Sequence, residues 1–250
     1  MSPVPAMLIF FLAALAVTAT SPRADPPHPM PASLPRVLAM PADPLRAPPG
    51  AEGLANGSGF FVSDHIVITA AHVVAGCRTI ALTSPFLAPV AAKVVGSDGG
   101  NDIALLHSDG SAPAVLALGR DAPGRVRVLG FPGAARTRAA AMTVTSARLV
   151  NGSIAAETAL ERDPAVLLWL QAHDVGQGYS GGPVLDPESG LVVGLVRATL
   201  DPGLAARHYA IDTPDLVIGP GVVPLRAMFA SGPQASGAAE RAVVRVMCWQ

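Results

Sequence analysis

The sequence predicts an all-β fold in which about a dozen short strands form two antiparallel barrels. Three observations predict it. Gly and Pro each occur 25 times in 250 residues, an excess that suits many tight turns better than a helical bundle. Half of the residues are hydrophobic and 14% are charged, which gives enough apolar surface for a large core and argues against a disordered chain. From Gly57 onward the apolar residues fall in short runs cut by Gly, Asp, Ser and Pro, the rhythm of strands and turns.

In chain order, residues 1–19 read as a signal peptide. Residues 7–17 form an apolar block too short for a confident membrane span, and Val17-Thr18-Ala19 offers small residues for cleavage, although no Lys or Arg precedes the block. An uncleaved anchor or a buried segment are the alternatives. Residues 20–52 are proline-rich and read as an extended, solvated leader. Residues 53–232 hold the folded domain, and 233–250 read as a C-terminal tail. Within the domain, 59–62 and 66–70 form a hairpin through Ser63-Asp64, followed by strands at 79–82, 90–95 and 103–106. A strand at 126–129 closes the first group. The second group comprises 143–149, 166–172, 183–185, 191–197 and 208–211. Beyond Pro214 the pattern weakens, and 225–230 and 238–247 read as helices, the latter from apolar positions near helical spacing.

The formal net charge of −1 leaves no electrostatic footprint for nucleic acid or anionic lipid, and 4% aromatic residues provide no base-stacking platform. Cys77 and Cys248 are the two cysteines. In an oxidising compartment they could close one disulfide; otherwise they are two thiols. His28, His65, His107, His173 and His208 show no ligand spacing, so no metal or other cofactor is expected.

Chemistry concentrates in three segments. Gly178-Tyr179-Ser180-Gly181-Gly182-Pro183 sets a serine among glycines, whose freedom allows a sharp turn and close approach of a carbonyl to main-chain N–H groups. A seryl hydroxyl is a weak nucleophile without a base and an orienting acid. Thr69-Ala70-Ala71-His72 supplies a candidate base. Asp102 supplies a candidate acid, placed at a strand entrance by the turn cluster Asp98-Gly99-Gly100-Asn101. Singly, each has a plainer reading: a core histidine, a turn acid, a turn serine. Their chain order, His72 then Asp102 then Ser180, joins them.

With their neighbours these segments resemble trypsin-like serine proteases of the chymotrypsin fold, and among those the bacterial HtrA/Deg branch. Gly57-Ser58-Gly59-Phe60-Phe61-Val62 and Ile68-Thr69-Ala70-Ala71-His72-Val73-Val74 are similar to that family's histidine segment. Asp102-Ile103-Ala104-Leu105-Leu106 is similar to its aspartate segment, and the Ser180 turn to its serine segment. Gly130-Phe131-Pro132 and Thr143-Val144-Thr145-Ser146 also fit, so the likeness spans residues 55–212. The resemblance implies two six-stranded barrels and a short C-terminal helix. Catalysis is then expected in the cleft between the barrels, by His72, Asp102 and Ser180, with the Gly178 and Ser180 N–H groups as the oxyanion hole. It implies an endopeptidase acting on proteins or peptides. The signal-peptide reading of residues 7–17 makes it a secreted or periplasmic one without stable membrane insertion after cleavage, and too little chain follows Asp212 for the PDZ module of HtrA relatives to be expected. The oligomeric state stays open.

Tyr179 stands where animal trypsins carry the aspartate that pairs with a newly cut N-terminus, so that switch is not expected to operate. Asp174 lies six residues before Ser180, where trypsins place the acid of the primary pocket; the alternative is a surface acid. Arg197, on the strand expected to line that pocket, could neutralise it. Two other functions compete: a catalytically silent homologue acting as a binding protein, and an esterase. For the esterase, Gly178 to Gly182 fits G-x-S-x-G, with Asp201 or Glu188 and His208 downstream. Asn56-Gly57-Ser58 and Asn151-Gly152-Ser153 are sequons.

Overall fold

The computed structural model of the chain describes residues 54–133, 141–154, 159–210, 214–229 and 234–250; the expected signal peptide and leader lie outside them. The first strands are β1 (Leu54–Phe61), β2 (Ile66–Ala70), β3 (Thr79–Ser84), β4 (Leu87–Asp98) and β5 (Ile103–Ser108). Next come β6 (Arg125–Gly130), β7 (Thr143–Leu149) and, after the short helix α1 (Ala159–Arg162), β8 (Leu167–Gln171). They are followed by β9 (Pro183–Leu185), β10 (Val192–Leu195), β11 (Ala198–Thr199), α2 (Pro202–Tyr209), β12 (Leu216–Pro220) and α3 (Val222–Met228). The chain ends in α4 (Ala239–Ala242) and β13 (Val243–Trp249).

Six strands close a barrel in the order β1-β13-β3-β4-β5-β2, every neighbouring pair antiparallel. One buried apolar cluster packs on and around these strands, among its members Phe60, Ile68, Leu82, Ile103, Leu106 and Val244. Burying each such side chain contributes about 1.5–3 kcal/mol. The all-β class and the first barrel agree with the sequence expectation.

The second half departs from a six-stranded barrel. It is a seven-stranded sheet in the order β10-β9-β6-β7-β8-β12-β11, curled around Val128, Leu168, Leu170, Tyr179 and Val184. Its β10 edge meets the residue that follows β12 through an isolated bridge, Gly194 to Gly221. A Cβ on Gly194 would stand 2.2 Å from Leu168 Cδ1, so the seam depends on absent side chains. The β6 strand, expected to complete the first group, pairs instead with β7 and β9.

What completes the first barrel is the C-terminus. Residues 243–249, of which 243–247 were expected as helix within a tail, form β13 between β1 and β3. Only Ala239–Ala242 is helical before it. The whole strand is buried, which removes the alternation of a half-exposed strand, and a continuous apolar run of this kind is compatible with either element. Val243, Val244 and Val246 are β-branched and suit the sheet.

The strand expected at 208–211 is also corrected, since α2 runs through His208. Asp201 caps it by accepting the Leu204 N–H at 2.9 Å, Pro202 follows the cap, and Ala210 ends it in left-handed conformation. The helix expected at 225–230 overlaps α3, with residue 230 outside the described residues. Of the two sequons, Asn151 is buried: its Nδ2 donates to the Leu167 carbonyl at 2.7 Å and its Oδ1 accepts the Trp169 N–H.

Cys77 and Cys248 are bonded, with Cα atoms 5.4 Å apart across 171 residues of sequence. The bond ties β13 to the loop after the His72 turn. A cross-link closing so long a loop restricts the unfolded chain, an effect of about 2–4 kcal/mol. The paired Cys77→Ser/Cys248→Ser variant should therefore unfold at a midpoint roughly 5–15 °C lower in a calorimetric scan, while an unchanged midpoint would show that pairing alone holds β13.

Candidate active site

His72 sits in a 3-10 turn, Ala71–Val73, that begins where β2 ends. Asp102 stands immediately before β5, beside β2 in the barrel. The turn before it is built by Asp98, whose carboxylate accepts the N–H groups of Gly100 and Asn101 and the Asn101 side-chain amide. The chain then passes through Asp102 at φ 58°, a left-handed conformation that Asp tolerates better than most residues. Three bonds hold it there. Its carbonyl accepts the Ala71 N–H at 3.1 Å, its Oδ1 accepts the His72 N–H at 2.9 Å, and its Oδ2 meets His72 Nδ1 at 2.7 Å.

An ionised carboxylate only accepts, so the Nδ1 facing it carries the proton and the neutral imidazole keeps a bare Nε2. Burial pushes the Asp102 carboxyl up, but the hydrogen bonds from the His72 ring and N–H, the charge that His72 carries when protonated and the charge of Arg197 outweigh it and hold the group below its usual 3.8. Half of the His72 side-chain surface is exposed, whereas 9% of the Asp102 side chain is.

Ser180 comes from the loop between β8 and β9, and the first barrel grips that loop. The Ser58 N–H donates to the Ser180 carbonyl at 2.8 Å. The Ser58 hydroxyl donates to the Gly178 carbonyl at 2.7 Å and accepts the Phe131 N–H at 2.9 Å. Thr69, from β2, donates its hydroxyl to the Ser58 carbonyl. Ser58 and Thr69 are both fully buried. Gly178 takes φ +91°, and a Cβ there would stand 2.2 Å from the Phe131 carbonyl, so only glycine fits. Neither the Gly178 nor the Ser180 N–H has an acceptor among the described residues.

His72, Asp102 and Ser180 line one cavity of about 600 Å³, together with Gly99, Gln177 and Arg197. The Ser180 hydroxyl donates to the Arg197 carbonyl at 3.2 Å. The Arg197 side chain lies against the acid, Nε 3.6 Å from Asp102 Oδ2, the oxygen that His72 also uses. Asp174 is elsewhere. It is exposed, at φ 64°, and does not line the cavity, so Arg197 meets Asp102 rather than Asp174. His208, Asp201 and Glu188 also lie off this cavity: His208 is on α2, Asp201 caps it, and Glu188 belongs to the exposed turn organised by Asp186. Tyr179 is buried in the second core, and its hydroxyl bonds to Thr143 Oγ1.

Sequence reasoning did not single out Ser58 and Thr69, although both fall within quoted motifs. A polar residue in an apolar run, Ser58 before Phe60-Phe61-Val62 and Thr69 after Ile66-Val67-Ile68, was the available signal.

The closed barrel, the curled sheet and a His–Asp–Ser set across their junction define the trypsin-like peptidase class. Residues 57–195, more than half of the chain, match the trypsin-like peptidase domain, and the chain belongs to that family. It is 32% identical over 155 residues to the serine protease Rv3671c of Mycobacterium tuberculosis, covering 59% of this chain and 37% of that protein. It is 33% identical over 184 residues to the uncharacterised protein y4bJ of Sinorhizobium fredii, covering 71% of this chain and 28% of that one. The chain thus spans about a third of the length of these curated relatives. Among solved structures, the active form of the Rv3671c protease superposes with a TM-score of 0.54 at 27% identity, covering 76% of this chain and 79% of that one. The HtrA-type protease AlgW with a tripeptide shares the fold, with a TM-score of 0.53 at 21% identity, covering 72% and 59%.

Removing the Ser58 hydroxyl leaves a buried N–H and a buried carbonyl unpaired, a loss of about 1–3 kcal/mol. Ser58→Ala should show that loss in urea titration; stability equal to the parent would mean that the seam is held by other bonds. Because the folded-state pKa of Asp102 is depressed, its stabilisation is complete above the unfolded value near 3.8 and is lost as the pH falls through the folded value. Asp102→Asn should flatten that part of the acid-unfolding profile, and a profile parallel to the parent's would contradict the depressed pKa.

Proposed function

We propose that the chain is an exported serine endopeptidase acting through an acyl-enzyme, with His72, Asp102 and Ser180 as its triad. The observation that carries the proposal is the convergence of a bare imidazole Nε2, fixed by Asp102, and a serine hydroxyl on one cavity. A peptide carbonyl lodged there could direct its oxygen to the unpaired N–H groups of Gly178 and Ser180, where developing negative charge is stabilised; each such donor is worth about 3–4 kcal/mol. In this reading the Ser180 hydroxyl leaves the Arg197 carbonyl for His72, a change that a rotation about χ1 would have to supply. Oγ attacks the carbonyl carbon while Nε2 takes its proton. The protonated imidazole, stabilised by Asp102, then gives that proton to the departing amine, and water releases the acyl group by the same route in reverse.

Export is supported by the residue 7–17 block and by the Cys77–Cys248 bond, which suits an oxidising compartment. Among the described residues no helix is long and apolar enough to cross a membrane. The fully buried Tyr179 side chain, hydrogen-bonded within the second sheet, supports a site that forms without a newly cut N-terminus.

One observation favours a second reading, a silent homologue that binds peptides: the Ser180 hydroxyl is bonded to Arg197. A fluorophosphonate probe separates the two. The parent protein should be labelled, and Ser180→Ala and His72→Ala should not be. Ser180→Ala should also lower peptide hydrolysis by about a millionfold in kcat. Absence of labelling in the folded parent protein favours the silent homologue.

A further inference from the structure

The Arg197 guanidinium is only partly used. Its Nε faces Asp102 Oδ2 at 3.6 Å, and no side-chain nitrogen of Arg197 has a hydrogen-bond acceptor among the described residues. Arginine carries five N–H donors in a rigid fork suited to a carboxylate. Arg197 lines the cavity that holds His72 and Ser180, and also a second cavity of about 180 Å³ beyond it, lined by Gly100, Asn101 and Glu161. Its side chain is 42% exposed. Gly99 and Ala198, which line the larger cavity with it, offer almost no side chain to cover it.

The surrounding charges define what would bind. Among the residues lining the two cavities Arg197 is the one permanent cation; the anions are Asp102 and Glu161. Asp102 is buried, 3.6 Å from the Arg197 Nε, with its own bonds to His72, and Glu161 lines the second cavity. An incoming carboxylate would therefore meet the open end of the fork rather than the buried acid.

Backbone geometry limits which substrate residue reaches it. β11 is an edge strand, paired on one side with β12, and its residues Ala198 and Thr199 line the larger cavity. An extended peptide can add to such an edge, with its acyl side running from Ser180 along Ala198 and Thr199. Arg197 precedes that edge and lies against the His72–Asp102 pair. It would then meet the residue just before the one whose carbonyl is attacked.

We infer that Arg197 is a specificity-determining residue that selects an acidic side chain, Asp or Glu, at that position of the peptide. The inference rests on the endopeptidase reading for the direction of the peptide, but its test does not require cleavage. Two peptides differing only in Glu or Gln at that position are titrated calorimetrically into the full-length Ser180→Ala protein. The Glu peptide should bind about fivefold more tightly, a modest factor because the arginine is partly exposed. The advantage should shrink as salt is raised from 50 to about 500 mM. It should also vanish when Arg197→Gln is added, while Arg197→Lys keeps part of it. Equal affinities for the two peptides, no measurable binding of the Glu peptide, or an advantage that survives Arg197→Gln overturns the inference. Comparing kcat/KM for the same pair on the parent enzyme keeps the two readings apart. Both peptides cut equally well leaves the protease reading standing without the acidic preference. Preferential binding of the Glu peptide by a protein that neither cleaves nor takes the fluorophosphonate removes the protease reading and leaves the acidic subsite.

Discussion

The structure depends on one seam. Ser58 reaches from the first barrel to the carbonyls of Ser180 and Gly178 and to the Phe131 N–H, so a strand of one half fixes the loop and the strand end of the other. Both partners of each bond are main-chain groups or a fully buried hydroxyl, and leaving such groups unpaired is costly. The glycines around Ser180 are consequences of this approach. Gly181, at φ +85°, would place a Cβ 2.2 Å from the Ser58 carbonyl, and Gly57 would place one 2.8 Å from the Ser180 carbonyl. A side chain at either position would push the two halves apart and separate His72 from Ser180.

Within the first barrel His72 and Asp102 need no such seam. His72 and Asp102 leave the ends of two neighbouring strands, β2 and β5, and the β2–β5 register, Ala70 opposite Ile103, sets them side by side. Two barrel strands thus supply the imidazole with a fixed partner, and the seam holds the loop that carries Ser180. The disulfide closes the arrangement from the far side, since β13 both completes the barrel and is bonded to the loop that follows His72.

The local motifs made much of this legible in the sequence. The strands near 59–62, 66–70 and 103–106 and the three chemistry-bearing residues were marked by apolar runs, turn clusters and chain order, all signals that act over a few residues. The parts that stayed hidden are long-range. Nothing local in Val243–Trp249 indicates that it inserts between β1 and β3, and its complete burial erased the period-two pattern. The assignment of β6 to the second sheet likewise depends on partners far along the chain. The strand expected at 208–211 failed for a different reason: the helix that runs through it starts upstream, where Asp201 caps and Pro202 follows. Asp174 looked like a pocket acid by its spacing to Ser180, yet the backbone turns it to solvent, and the charge that reaches the site is Arg197.

The central claim is geometric: the two N–H groups left unpaired by the serine loop and the bare nitrogen of His72 must address the same reacting centre. The most direct measurement is a crystal structure of the protein after reaction with a small organophosphonate. The account predicts a phosphorus bonded to Ser180 Oγ, one phosphoryl oxygen about 2.7–3.1 Å from the Gly178 and Ser180 nitrogens, and His72 Nε2 facing the adduct. A covalent adduct whose oxygen points away from both amides, or an unmodified Ser180 still bonded to the Arg197 carbonyl, would contradict it.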